Sequence, residues 1–222
     1  VFAALLVLGS HCWPLTGRGL GWIEKLSNAQ MNGGYLGVSM FFAISGYLVT
    51  ESYLRRRDTL RFMEARALRI FPGLAVCLLY CLLVGAVATT LPSGDYWSHT
   101  QTWSFFWRNL VLDLQQGSLP GVFTHNPLAN AVNGSLWTLP GEWTLYCMIA
   151  VLGLCGILAH PAAAAACLVA LIAVLYEHPA FTEGPLFKLG SVFSRSILAF
   201  LLGALFQLNR DRVLWRWQWA AA

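Results

Sequence analysis

Three residues with reactive or charged side chains sit inside runs that are otherwise apolar: His11, Glu142 and Arg195. Titratable groups in such runs are rare in membrane spans, where they mark functional sites by default. His11 closes the run A3-A-L-L-V-L-G-S-H11. A neutral imidazole costs less to bury than a charge and exchanges a proton near neutral pH. His11 therefore reads as a general base, or else as a histidine packed near a helix end beside Pro14. Glu142 stands in S135-L-W-T-L-P-G-E-W-T-L-Y146, among leucine and aromatic side chains. A carboxylate there needs a cation, a proton or several donors. A catalytic role, a structural ion pair and a helix-start position each meet that need. His11 is the first candidate partner and Arg195 the second, although Arg195 also reads as an arginine snorkelling to the headgroups.

The elements that must position these groups follow from composition. Of 222 residues, 57% are hydrophobic and 11% charged, and the mean hydropathy is +0.59. Soluble domains carry about 25% charged residues, so this chain lacks the polar surface to cover a water-soluble globule. It reads as an integral membrane protein, an all-α polytopic transmembrane helix bundle. Spans need about 20 mostly apolar residues; residues 1–15, 35–54, 73–91, 136–158, 162–176 and 186–208 supply six, the first and fifth of them short. Pro72 is placed as the opening residue of the third helix. No signal peptide is visible. The chain opens directly in an apolar run and stops in W215-R-W-Q-W-A-A-A222, which reads as a piece of a longer protein cut at both ends.

Basic residues set the orientation. The connection after the second span carries Arg55, Arg56, Arg57, Arg61, Arg66 and Arg69, and the tail carries Arg210, Arg212 and Arg216, nine of the 14 Lys and Arg. Both segments fall on one side of a six-span bundle, and the positive-inside rule makes that side cytoplasmic. The long connection at 92–135, with Trp97, Trp103, Phe105, Phe106 and Trp107, reads as an amphipathic segment in the interface. His99 and His125 in it read as interfacial residues, with contact to a polar substrate as the alternative. The six cysteines lie in or beside apolar runs with no C-x-x-C pair, so they read as small buried hydrophobes. No metal-site or nucleic-acid motif is present.

Four blocks in order carry a resemblance: A3-A-L-L-V-L-G-S-H11, G37-V-S-M-F-F-A-I-S-G-Y47, R66-A-L-R-I-F-P72, and N133-G-S-L-W-T-L-P-G-E142 followed by Tyr146. Together they resemble the membrane-bound acyltransferase-3 family, which O-acylates cell-surface sugars, from end to end of this chain. The resemblance implies about ten spans of about 20 residues each in the full-length protein. The family also carries an arginine about eleven residues, or about 16 Å of helix, before the histidine, and that position falls just ahead of Val1. It places His11 near mid-membrane, between a donor arriving from the cytoplasm and an acceptor from outside.

What the resemblance implies for chemistry is transfer of an acyl group, acetyl in the usual case, from acyl-CoA to a hydroxyl of a cell-surface or exported polysaccharide. No cofactor is bound; acetyl-CoA is a co-substrate, and the glycan acceptor and the lipid bilayer are the other partners. In that setting His11 acts as base, or relays the acyl group covalently. Glu142 orients it or binds acceptor hydroxyls. Arg66 and Arg69 meet the CoA phosphates, with topology signals as the alternative. Arg195, Tyr146 and Ser45 are further candidates; for Ser45 and Gly46, close helix packing competes with a nucleophile and oxyanion role. The rival class is a membrane transporter or flippase of a glycan or lipid-linked substrate, which also buries His, Glu and Arg, but the internal repeats typical of transporters are not visible. The bacterial inner membrane is the expected location.

Overall fold

A computed structural model of the chain describes residues 1–17, 21–28, 32–113, 117–177 and 190–211. Every extended element among them is helical: α1 (Phe2–Thr16), α2 (Trp22–Leu26), α3 (Gly33–Arg56), α4 (Thr59–Ala88), α5 (Ser93–Ser98), α6 (Thr100–Leu110), α7 (Leu139–Leu154), α8 (Pro161–Glu177) and α9 (Gly190–Leu208). Two short 3-10 turns flank α7, at Gly134–Thr138 and Ile157–Ala159. The all-helical fold expected from composition is present among the described residues. The span count is not reproduced at helix level. Two helices, α3 and α4, are long and apolar enough to cross a membrane, while Phe2–Thr16, Pro161–Val174 and Arg195–Leu208 are apolar but shorter. At about 1.5 Å per residue, the 15 residues of α1 reach about 22 Å, short of a hydrocarbon core of about 30 Å.

Helix boundaries depart from the sequence reading in two places that matter for the site. Pro72 does not open the third helix, and Arg61, Arg66 and Arg69 do not lie in a connection. All four are inside α4, a single helix from Thr59 to Ala88. The segment before Pro72 is rich in Ala, Leu, Met, Glu and Arg, all strong helix formers. The proline removes one N–H, that which would close onto the Leu68 carbonyl. The connection shrinks to Arg57 and Asp58. Arg57 holds φ at +50° while its N–H donates to Tyr53 O at 2.8 Å. Asp58 caps α4 by accepting from the Arg61 N–H at 3.1 Å. The second departure is α7. It starts at Leu139, three residues after the predicted start, and ends at Leu154, where Gly156 at φ +71° takes the left-handed backbone that closes a helix without steric cost.

Two compact units make up the chain. Unit 1 comprises Val1–Val38 and Met63–Thr144. Parts of its connection, around Tyr96 and around 119–122, pack against the end of α4. Tyr96 is fully buried, and its hydroxyl donates to Leu82 O at 3.0 Å. Burial pushes this phenol above its ordinary pKa. Thr102 Oγ1 donates to Tyr96 O at 2.7 Å and Thr89 Oγ1 to Pro120 O at 2.8 Å. As expected for an amphipathic segment, α6 buries Thr102, Phe105 and Asn109 and exposes Trp103 and Trp107. His99 sits at its N-cap, accepting from the Gln101 N–H at 3.1 Å.

Unit 2 comprises Ser39–Phe62 and Leu145–Ala222. Its core is the crossing of α3 and α9. A side chain at Gly46 would overlap the Phe200 carbonyl, and one at Gly203 would overlap the Ala43 carbonyl. Glycine on both helices thus lets the backbones touch, the small-residue packing used inside membranes. Phe200, Leu201 and Ala204 are buried around this crossing. Tyr53 joins the end of α3 to the start of α4: its ring meets Phe62 edge-on at 5.2 Å and its hydroxyl lies 2.8 Å from Thr59 Oγ1.

Candidate active site

Unit 1 holds both catalytic candidates and both donor-binding candidates: His11, Glu142, Arg66 and Arg69. His11 lies in the third turn of α1 and is half-buried. Its Nδ1 is 2.9 Å from Val7 O, one turn back in the same helix. A carbonyl can only accept, so Nδ1 carries the proton in this pairing. The neutral ring then keeps its lone pair on Nε2. The hydrogen bond fixes which nitrogen can act as base and which way the ring faces. Pro14 follows three residues on, inside the same helix, and removes the N–H that would close onto Ser10 O.

Glu142 lies in the first turn of α7, not two turns inside a span as the predicted boundary had it. There the unpaired N–H groups and the helix dipole favour a carboxylate. The local sequence explains the placement. Asn133 Oδ1 accepts from the Ser135 N–H at 3.2 Å and opens the 3-10 turn. The Asn133 amide donates to Cys77 Sγ of α4 at 3.3 Å, pinning the turn to that helix. One turn later, Trp143 meets Phe71 edge-on at 5.2 Å. The start of α7 is held against α4 from both sides.

Between them lies a cleft of about 300 Å³ lined by Arg69, Gly73, Cys77, Leu136, Leu139 and Glu142, among others. The structure thus brings together Arg69 and Glu142, one from each of two predicted groups. Arg69 is exposed; Arg66 is half-buried, with Nε shielded from solvent. His11 is not among the residues of this cleft, and its described hydrogen bond goes to Val7. Ser45, Tyr146 and Arg195 belong to unit 2. Ser45 precedes the packing glycine Gly46, Tyr146 is fully buried, and Arg195 is exposed on α9.

Sequence reasoning gave no role to one residue of the cleft, Cys77, which reads there as a small hydrophobe. It gave none to Asn133 either, which bonds Cys77 and stands in the sequence only as the first residue of the fourth motif block. A signal for Cys77 existed: Arg69, Gly73 and Cys77 are spaced by four on α4, so they share one helical face. The pairing of Asn133 had none beyond its place in the motif block, because its partner is far away in sequence. Among the described residues no group of three His, Cys, Asp or Glu is placed to hold a metal ion.

Comparison with known proteins gives a consistent result. The acyltransferase-3 family profile, described as an acyltransferase domain, matches residues 1–222. An O-acetyl transferase of Shigella phage Sf6 is 34% identical over 151 residues, covering 67% of this chain and 42% of that protein. Nodulation protein 10 of Rhizobium leguminosarum bv. viciae is 31% identical over 166 residues, covering 68% of this chain and 42% of that protein. Each alignment takes in less than half of the relative's length. No solved structure matches the chain.

Proposed function

The chain belongs to the acyltransferase-3 family, and from that membership we propose that the protein moves an acetyl group from acetyl-CoA to a hydroxyl of a cell-surface or exported polysaccharide. The name of the phage relative supports the acyl group and the oxygen acceptor. The observation that carries the mechanism is the His11 pairing with Val7 O, which leaves Nε2 as a directed base. A sugar hydroxyl is a poor nucleophile at neutral pH until a base removes its proton. In this reading Nε2 takes the hydroxyl proton while the oxygen bonds to the thioester carbonyl carbon. The C–S bond then breaks, and the imidazolium returns the proton to the departing CoA thiolate. General base catalysis of this kind contributes about 10²–10⁴-fold.

Glu142 orients the acceptor hydroxyls or the imidazole, and Arg66 and Arg69 meet the CoA phosphates through their guanidinium forks. Tyr146, Ser45 and Arg195 remain the further candidates to be tested by substitution. The remaining apolar helices complete six spans beside α3 and α4, within about ten of about 20 residues in the full-length protein. The protein resides in the bacterial inner membrane with the Arg55–Arg69 side cytoplasmic. The test uses membranes that contain the full-length protein, labelled acetyl-CoA and the cell's own polysaccharide. Label enters the polysaccharide with the parent protein, and His11→Ala lowers the rate by about 10²-fold or more while the variant stays inserted. Undiminished transfer in His11→Ala would sink the base assignment, and no label in polysaccharide would sink the acceptor class.

A further inference from the structure

Gln207 of α9 is 4% exposed, and its Oε1 has no hydrogen-bond partner among the described residues. Buried polar atoms are nearly always paired, so an orphan of this kind points to a ligand or a bridging group. Gln207 lines a cleft of about 320 Å³ within unit 2, where the ends of α3 and α9 face the start of α8. Glu51, Arg55, Arg57 and Arg210 line it too. The cleft offers about ten water volumes of space, enough for a phosphate group and a short polar tail.

The charges in this cleft are arranged rather than scattered. Glu51 Oε1 lies 3.2 Å from Arg55 Nη2 and 3.8 Å from Arg210 Nη1, so one carboxylate holds two guanidiniums side by side. Arg210 also lies 3.6 Å from Asp211. Three guanidiniums against two carboxylates leave a net positive site. Arg57 makes no ion pair among the described residues, and its backbone is held by Tyr53. Each guanidinium keeps N–H groups unused by these pairs, and the planar fork suits phosphate oxygens. The start of α8, at Pro161, adds the positive end of a helix dipole.

We propose that this cleft binds a phosphate ester bearing a hydroxyl or amine donor near the phosphate. Arg55, Arg57 and Arg210 take the phosphate oxygens, and Gln207 Oε1 accepts from the neighbouring donor. Two sources share this chemistry: the headgroup of a phospholipid such as phosphatidylglycerol, and the phosphate-bearing part of CoA. The first stands apart from the transferase reading; the second rests on it and gives CoA, which carries more than one phosphate, a contact further to those of Arg66 and Arg69.

The experiment titrates the purified full-length protein in detergent with dioctanoyl phosphatidylglycerol and, separately, with CoA. Saturable binding of one ester is expected. Arg57→Gln weakens it about tenfold, as loss of one charge-assisted hydrogen bond does. Gln207→Met keeps the shape, removes the buried acceptor and weakens binding about fivefold, with no fall in melting temperature. Lipid binding that responds to both substitutions assigns the headgroup; CoA binding that responds assigns the donor. Acetyl transfer by the same preparation separates the two readings, because absent binding beside intact transfer overturns the cleft alone. No binding of either ester, or binding equal in the parent and both variants, overturns the proposal.

Discussion

The imidazole of His11 and the carboxylate of Glu142 were legible before any fold was known, because each is costly where its sequence neighbours are apolar. What the sequence could not convey is how each is held. For His11 the holder is Val7 O at 2.9 Å, so ¹⁵N spectra of histidine-labelled protein should show the neutral ring protonated at Nδ1; a neutral ring protonated at Nε2 would remove the directed base. For Glu142 the holder is the start of α7, itself anchored by Asn133 on Cys77. Asn133→Ala should lower stability by about 1–2 kcal/mol through lost hydrogen bonds. It should also slow acetyl transfer about tenfold by loosening the Glu142 side of the cleft. Transfer at the parent rate in a destabilised Asn133→Ala would separate the anchor from the chemistry. The anchoring contact of Asn133 was invisible in sequence because its partner lies 56 positions away, and local patterns report only local neighbours.

At the scale of elements, hydrophobic runs located the long helices, and one proline, Pro72, misplaced the start of α4. Pro72 looked like a start signal, yet α4 passes through it because the flanking residues favour helix strongly enough to absorb one missing hydrogen bond. Conversely, the run at 136–158 looked unbroken, but the Asn133 cap and the left-handed Gly156 trimmed it from both sides. Of the two roles open to Gly46 in the sequence, the close approach of the Phe200 backbone favours packing. Gly46→Val would drive a side chain into the Phe200 carbonyl and should cost about 1–3 kcal/mol, read as a lower melting temperature in detergent. An unchanged melting temperature would mean that the α3–α9 crossing contributes little to unit 2.

For the whole molecule, composition predicted a chain that cannot shield its apolar surface from water, and large apolar side chains do lie outward along the long helices: Phe41, Ile44 and Leu48 on α3, and Val76, Leu79, Leu83 and Val87 on α4. The chain should therefore stay in the membrane pellet after alkaline carbonate extraction; recovery in the supernatant would overturn the spanning reading. The four motif blocks were readable in order along the chain. The division into two units was not, because each unit joins segments far apart in sequence. The His11 bond has a consequence for how robust the candidate base is. Its acceptor is only four residues upstream, so the pairing needs nothing beyond the one turn of α1 that holds both residues. A substitution elsewhere that leaves that turn wound leaves the imidazole facing the same way.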